Sequence, residues 1–254
     1  MLLSAGCSFV WGDELPGHDD SPPSHREHTF THKLGQSLGI QSVNLGTCGG
    51  GNDKIFRDVI DYLSNPLIPN PTHVVVLWSS FQRNEVVEDV TDNEITVLNI
   101  KRELNFTQFS PERIDNIRDD FNAKILEAYY GIGHDGRKDI IHTITKMKSM
   151  QLICDGLGIK LCQGTFHKRS WSNIVTVMAR GNKDHKGSGS LDICTWIKNG
   201  IGELSDSSRL GLGKHIDLYT VAIDNDDLQE HAHPGALSND IYSDILLDIF
   251  TEMD

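Results

Sequence analysis

Ser8 and His233 are the two residues whose types and surroundings offer nucleophilic chemistry. Ser8 stands in Gly6-Cys7-Ser8-Phe9, just past the short apolar run Met1 to Ala5. A run stopped by glycine reads as a buried strand. A serine just beyond it stands at the strand's carboxyl edge, with a following backbone N–H directed at the same space. A serine capping a turn is the plainer reading of the tetrapeptide alone. His233 lies in Glu230-His231-Ala232-His233-Pro234. A carboxylate three residues ahead of a histidine in a turn can return to its Nδ1–H and leave Nε2 free as a base, with the proline holding the turn. A surface histidine in a polar loop is the alternative. Cys7 is a second candidate nucleophile, since a thiolate is intrinsically stronger, but a neighbouring residue usually points elsewhere.

Other groupings carry less. His25, His28 and His32 could gather on one side of a turn, but no carboxylate or cysteine joins them at metal-ligand spacing, so no metal is expected. The glycines from Gly46 to Gly51 are not followed by the Gly-Lys-Ser/Thr of a phosphate loop. Arg83 and Glu85 read as an ion pair buttressing a strand end. No organic cofactor is implied.

These residues need a scaffold, and the patterning supplies one. After the first strand, Gly6 to Gly12 reads as a loop and Asp13 to His28 as an exposed polar loop. Thr29 to Leu38 then reads as a helix and Gln41 to Leu45 as a strand. Asn52 and Asp53 cap a helix carrying Ile55, Val59, Ile60 and Leu63. Val74 to Trp78 is β-branched and apolar on both faces, as a central parallel strand should be. Val86 to Phe109 fits a hairpin excursion. Helices are predicted over Glu112 to Tyr130 and Asp139 to Leu157, a strand over Gly158 to Phe166, and a last helix from about Ser238 to Phe250. Between them, residues 167–215 read as an irregular insertion with one short helix near Cys194 to Lys198. Alternating strands and helices predict one α/β domain over residues 1–254, with a central parallel sheet in a three-layer α/β/α arrangement and a site beyond the strands' carboxyl ends.

Composition narrows the function classes. With 23 basic and 36 acidic residues the formal charge is −13, which opposes nucleic acid and anionic membrane surfaces. The longest apolar run, Val74 to Trp78, is far below the roughly 20 residues that span a bilayer. Five cysteines without a Cys-x-x-Cys pair suggest reduced thiols, and no signal peptide fits ahead of Cys7, so a cytoplasmic protein is expected. The oligomeric state is not readable from the sequence.

Four blocks in order resemble the SGNH, or GDSL-like, hydrolase family, and more closely its divergent branch in tailed-phage and bacterial genomes. Gly6-Cys7-Ser8-Phe9 with Gly12-Asp13-Glu14-Leu15 is similar to the Gly-Asp-Ser-Leu block, with Cys7 in place of aspartate. Asn44-Leu45-Gly46-Thr47-Cys48-Gly49 is similar to the glycine block. The third block departs from the family, because Val74 to Trp78 runs into Ser79-Ser80-Phe81-Gln82-Arg83-Asn84 rather than Gly-x-Asn-Asp. Glu230-His231-Ala232-His233-Pro234 is similar to Asp-x-x-His-Pro. The resemblance implies a flavodoxin-like fold and a serine esterase or acylhydrolase working through an acyl-enzyme on Ser8. His233 would be the base and Glu230 its support, or else Asp226, Asp227 or a Ser–His dyad. The oxyanion and substrate would be bound at Gly49, Asn52, Ser79 and Arg83, with Gln82 or Asn84 as further substitutes for the missing asparagine. The expected substrate is a small ester or acylated sugar, met in a host cytoplasm if the chain is phage-encoded. The contrasting expectation is a non-catalytic carbohydrate- or protein-binding module on the same fold.

Overall fold

The computed structural model describes residues 1–17, 24–81, 83–87, 106–109, 136–165, 217–230 and 232–253. In chain order the elements are β1 (Leu2–Gly6), α1 (Ser8–Trp11), a 3₁₀ turn (Ser24–His28), α2 (Phe30–Ser37), β2 (Ser42–Asn44) and α3 (Asn52–Ser64). There follow β3 (His73–Trp78), β4 (Asn84–Val87), β5 (Phe106–Phe109), α4 (Gly136–Leu157), β6 (Lys160–Thr165), α5 (Leu218–Asp224) and α6 (Ala236–Thr251).

Period-2 alternation in the central strands explains the layering. Leu3, Ala5, Val74, Val76, Trp78 and Leu161 turn to one face and pack on Ile55 and Val59 of α3 and on Ile144 and Met147 of α4. Leu2, Val75, Leu77 and Cys162 turn to the other, against Phe30 and Leu34 of α2, Leu218 and Val221 of α5, and Tyr242, Leu246 and Phe250 of α6. The strands run parallel in the order β2-β1-β3-β6. The three-layer α/β/α arrangement is therefore present. Because α2 and α3 cover opposite faces, the topology reverses between β1 and β3, and the crevice beyond their carboxyl ends is where such sheets bind ligands. One polar chain crosses the core fully paired: Trp78 Nε1 donates to Gln163 Oε1 at 2.9 Å, and Gln163 Nε2 donates to the Met147 carbonyl at 3.0 Å.

Several local expectations change. The segment after β1 is not a loop throughout, because Ser8–Trp11 forms a helical turn with Cys7 as N-cap and Gly12, at φ 90°, as left-handed C-cap. The polar stretch after it is not simply exposed: Leu15 is buried, and the side chains of Asp13 and Glu14 are only 23% and 17% exposed. Helix α5 went unread in the sequence, although Asp217 caps it by accepting from Thr220 N at 2.7 Å. The expected excursion contains the antiparallel pair β4–β5. The helix predicted over 112–130 and the insertion over 167–215 lie outside the described residues. Among the described residues, no helix is long and apolar enough to cross a membrane, and no cluster of metal-ligating side chains occurs.

Candidate active site

Ser8 is positioned by backbone crowding on both sides. A Cβ on Gly6 would overlap Val10 and fall 2.9 Å from the Leu77 carbonyl, so only glycine lets β1 turn directly into α1. Cys7 is buried among the apolar residues packed on α2 and α6, which takes its thiol away from the site. Ser8, at the first position of α1, faces the sheet's carboxyl edge. Past Gly12 the chain doubles back, with Gly12 N and Asp13 N donating to the Ser8 carbonyl at 2.9 and 3.1 Å. Leu15 anchors the return in the core. Glu14, at φ 64°, adopts a left-handed conformation that costs a non-glycine residue about 1–2 kcal/mol.

His233 arrives from the opposite end of the chain on a closed loop. Gly235 N donates to the Asp227 carbonyl at 2.7 Å, Gln229 N to the His233 carbonyl at 2.8 Å, and Ala232 N to the Gln229 carbonyl at 2.9 Å. Leu228 and Pro234 form an antiparallel bridge. Ala232, beside the histidine, is also left-handed, at φ 64°. The Phe9 ring meets the imidazole at 5.4 Å and 68°, fixing its plane.

The two turns meet at the imidazole. Nε2 of His233 lies 2.9 Å from Ser8 Oγ, and Nδ1 lies 2.9 Å from Glu14 Oε2. Glu14 Oε2 also accepts from the His233 backbone N–H at 3.4 Å. An ionised carboxylate only accepts, so it fixes the proton on Nδ1 and turns the Nε2 lone pair toward the serine hydroxyl. Asp13 Oδ2 stands 3.5 Å from the same Nε2. The arrangement can transfer a proton from Ser8 while a carboxylate stabilises the imidazolium that forms.

Glu230 does not fill the expected place: it is exposed in the turn, and the partner of Nδ1 is Glu14, 219 residues from the histidine. Asp227 is engaged elsewhere, accepting from Ser238 N and Oγ at 2.6 and 2.7 Å, and Asp226 is exposed. A recognisable signal for Glu14 lay in Gly12-Asp13-Glu14-Leu15, a turn-forming glycine, two carboxylates and an apolar anchor.

The glycine loop between β2 and α3 forms the adjoining wall. Thr47 N donates to the Gly6 carbonyl at 3.0 Å, and Asn44 Nδ2 donates to the Val10 carbonyl at 2.6 Å. A Cβ on Gly46 would overlap the backbone of Trp11, so loop and α1 touch main chain to main chain. A Cβ on Gly50 would stand 3.6 Å from Cys7 Cα. Gly49, at φ 73°, takes the left-handed turn between these contacts. Among the described residues, the backbone N–H groups of Ser8 and Gly49 have no hydrogen-bond acceptor. Ser8 is buried at a helix start and Gly49 half-buried in a loop, so both are donors available to an anion.

Asn52 is not an oxyanion donor here. Its Nδ2 donates to the Ser79 carbonyl at 3.2 Å and to Thr143 Oγ1 at 3.1 Å, while its Oδ1 accepts from Ser79 N at 2.8 Å. Both amide protons are thereby occupied in locking α3 to β3 and α4. Ser79 is 2% exposed and serves as the other half of that lock. Arg83 abuts the glycine loop through its backbone, its carbonyl lying 2.9 Å from where a Gly51 Cβ would be. The Glu85 side chain and Gln82 lie outside what is described.

No family model matches the sequence, and no curated protein matches it. Two solved structures are similar over nearly the whole chain. One is described as a lipolytic protein of G-D-S-L family from Desulfitobacterium hafniense, at 11% identity and a TM-score of 0.47, with 98% of each chain covered. The other is the psychrotrophic esterase EstA from Pseudoalteromonas, inhibited by monoethylphosphonate, at 11% identity and a TM-score of 0.49, covering 99% of this chain and 97% of that one.

Proposed function

We propose that this chain is a serine ester hydrolase of the SGNH type, in which Ser8 is the nucleophile, His233 the general base and Glu14 the carboxylate that orients it. The observation that carries the reading is the continuous relay Glu14–His233–Ser8, with 2.9 Å at each link. His233 Nε2 takes the Ser8 proton as Oγ attacks an ester carbonyl, and the Ser8 and Gly49 N–H groups hold the resulting oxyanion. The imidazolium then protonates the departing alcohol. Water, deprotonated at the same nitrogen, releases the acyl group from Ser8. The substrate is a short acyl ester, of which an O-acylated carbohydrate is one form. The free thiols of Cys7, Cys48, Cys154 and Cys162 fit a reducing, cytoplasmic setting.

The test is hydrolysis of p-nitrophenyl acetate, with intact-mass detection of the acetyl adduct. Ser8→Ala is expected to lower turnover roughly 10⁴-fold or more and to abolish the adduct. Equal turnover in wild type and Ser8→Ala would remove the nucleophile assignment. Absence of turnover, with retained affinity for unacylated sugars, would replace the hydrolase by a binding module.

A further inference from the structure

Asp13 has no part in the relay, yet its carboxylate lies against the nitrogen that must serve the leaving group. We propose that Asp13 is a specificity-determining residue that selects esters whose alcohol carries a hydroxyl on the carbon next to the ester-bearing one. The inference rests on the hydrolase reading above and names the alcohol side of its substrate.

When an acyl-enzyme forms, the ester C–O bond breaks, and the departing alkoxide oxygen takes the proton that His233 Nε2 received from Ser8. That oxygen must come within about 3 Å of Nε2. Asp13 Oδ2 is 3.5 Å from Nε2, on the side of the ring where Ser8 Oγ also sits, at 2.9 Å. The backbone that carries it is held: Gly12 ends α1 in the left-handed region and Asp13 N is bonded to the Ser8 carbonyl at 3.1 Å. A simple alkyl leaving group has no hydrogen to donate to that carboxylate. An alcohol with a neighbouring hydroxyl places an O–H donor between the two, because vicinal oxygens lie about one hydrogen-bond length apart and a carboxylate accepts strongly from hydroxyl. Polyols and sugar rings present this vicinal pair; alkyl alcohols do not. An alcohol bearing an ionised phosphate or carboxylate at that position has no such donor either.

The experiment compares two nearly isosteric esters, ethylene glycol monoacetate and n-propyl acetate, by kcat/KM in wild type, Asp13→Asn and Asp13→Ala. The ratio of the two constants does not depend on how much of a variant is folded. Wild type is expected to prefer the hydroxylated ester by roughly 10-fold or more, the range of a hydrogen bond to a charged group, and both variants to bring the ratio toward unity. A wild-type ratio near one, or a preference retained in both variants, overturns the role of Asp13 while leaving the hydrolase intact. Failure of wild type to hydrolyse either ester or p-nitrophenyl acetate overturns the hydrolase reading and this inference together.

Discussion

The turn after β1 and the turn before α6 meet at one imidazole but are equipped differently. The first turn, Gly6 to Leu15, brings the hydroxyl of Ser8 and both carboxylates that face the ring, Asp13 and Glu14. The last, Asp227 to Gly235, brings the ring alone, although it carries as many acids, Asp227 and Glu230. Its carboxylates are spent on architecture or left in solvent: Asp227 binds the first turn of α6, and Glu230 is exposed. Nearness in sequence is thus a poor guide to which acid serves a base. A short hairpin-like loop directs its neighbours outward, whereas a left-handed turn anchored in the core can direct two consecutive side chains at one target.

Exchanging the acids breaks the comparison most sharply. Glu14→Gln is expected to lower kcat for p-nitrophenyl acetate roughly 10³-fold, because glutamine no longer fixes the tautomer or stabilises the imidazolium, while Glu230→Gln stays within about twofold of wild type. The reverse order of effects would return the role to the last turn.

A smaller effect distinguishes architecture from chemistry. The N-cap of α6, Gly235, offers no side chain, so the Asp227 carboxylate caps the helix from outside. Asp227→Asn is expected to destabilise the fold by about 1–2 kcal/mol, a melting shift of some 2–8 °C, without raising KM more than about twofold. A fall in kcat as large as that of Glu14→Gln, at unchanged melting temperature, would place Asp227 in the relay instead.

The smallest effect lies away from both turns. Burial pushes the Cys162 thiol up to about 12 and the Tyr242 hydroxyl well above its usual range. Both groups stay protonated in the fold but ionise on unfolding. Stability from this source is therefore complete below pH of about 8.5 and is lost as pH rises beyond it. Thermal melts from pH 8 to 11 should show a falling midpoint, shallower in Cys162→Ala. At pH 8 the exposed Cys48 should react with a thiol reagent at a rate that Cys48→Ser removes, while Cys162 reacts only on unfolding.

The centre of the sheet was legible because Val74 to Trp78 is a β-branched, apolar run buried throughout. Ser8 and His233 were legible as strand-end and turn residues, and the structure brings them into contact. Glu14 was not, because its placement depends on the left-handed conformations of Gly12 and Glu14, a backbone property that residue types only permit. Asn52 misled for a related reason: an asparagine beside a glycine loop has the right chemistry, but burial among Ser79 and Thr143 leaves it no free proton. The side-chain pattern of α5 was short enough to be taken for part of the loop that follows it.

The hydrogen bond between Ser8 and His233 joins residues 225 positions apart. During synthesis at about 5–20 residues per second, Ser8 emerges roughly 10–45 s before His233 exists. For that interval the chain carries a serine with no group able to take its proton. The carboxylates of Asp13 and Glu14 likewise wait without their ring, and Phe30 N lacks the Asn239 Oδ1 that later bonds it at 2.9 Å and ties α2 to α6. The Ser8–His233 pair therefore forms only late, once the last turn and helix α6 dock, and a chain interrupted before then lacks it.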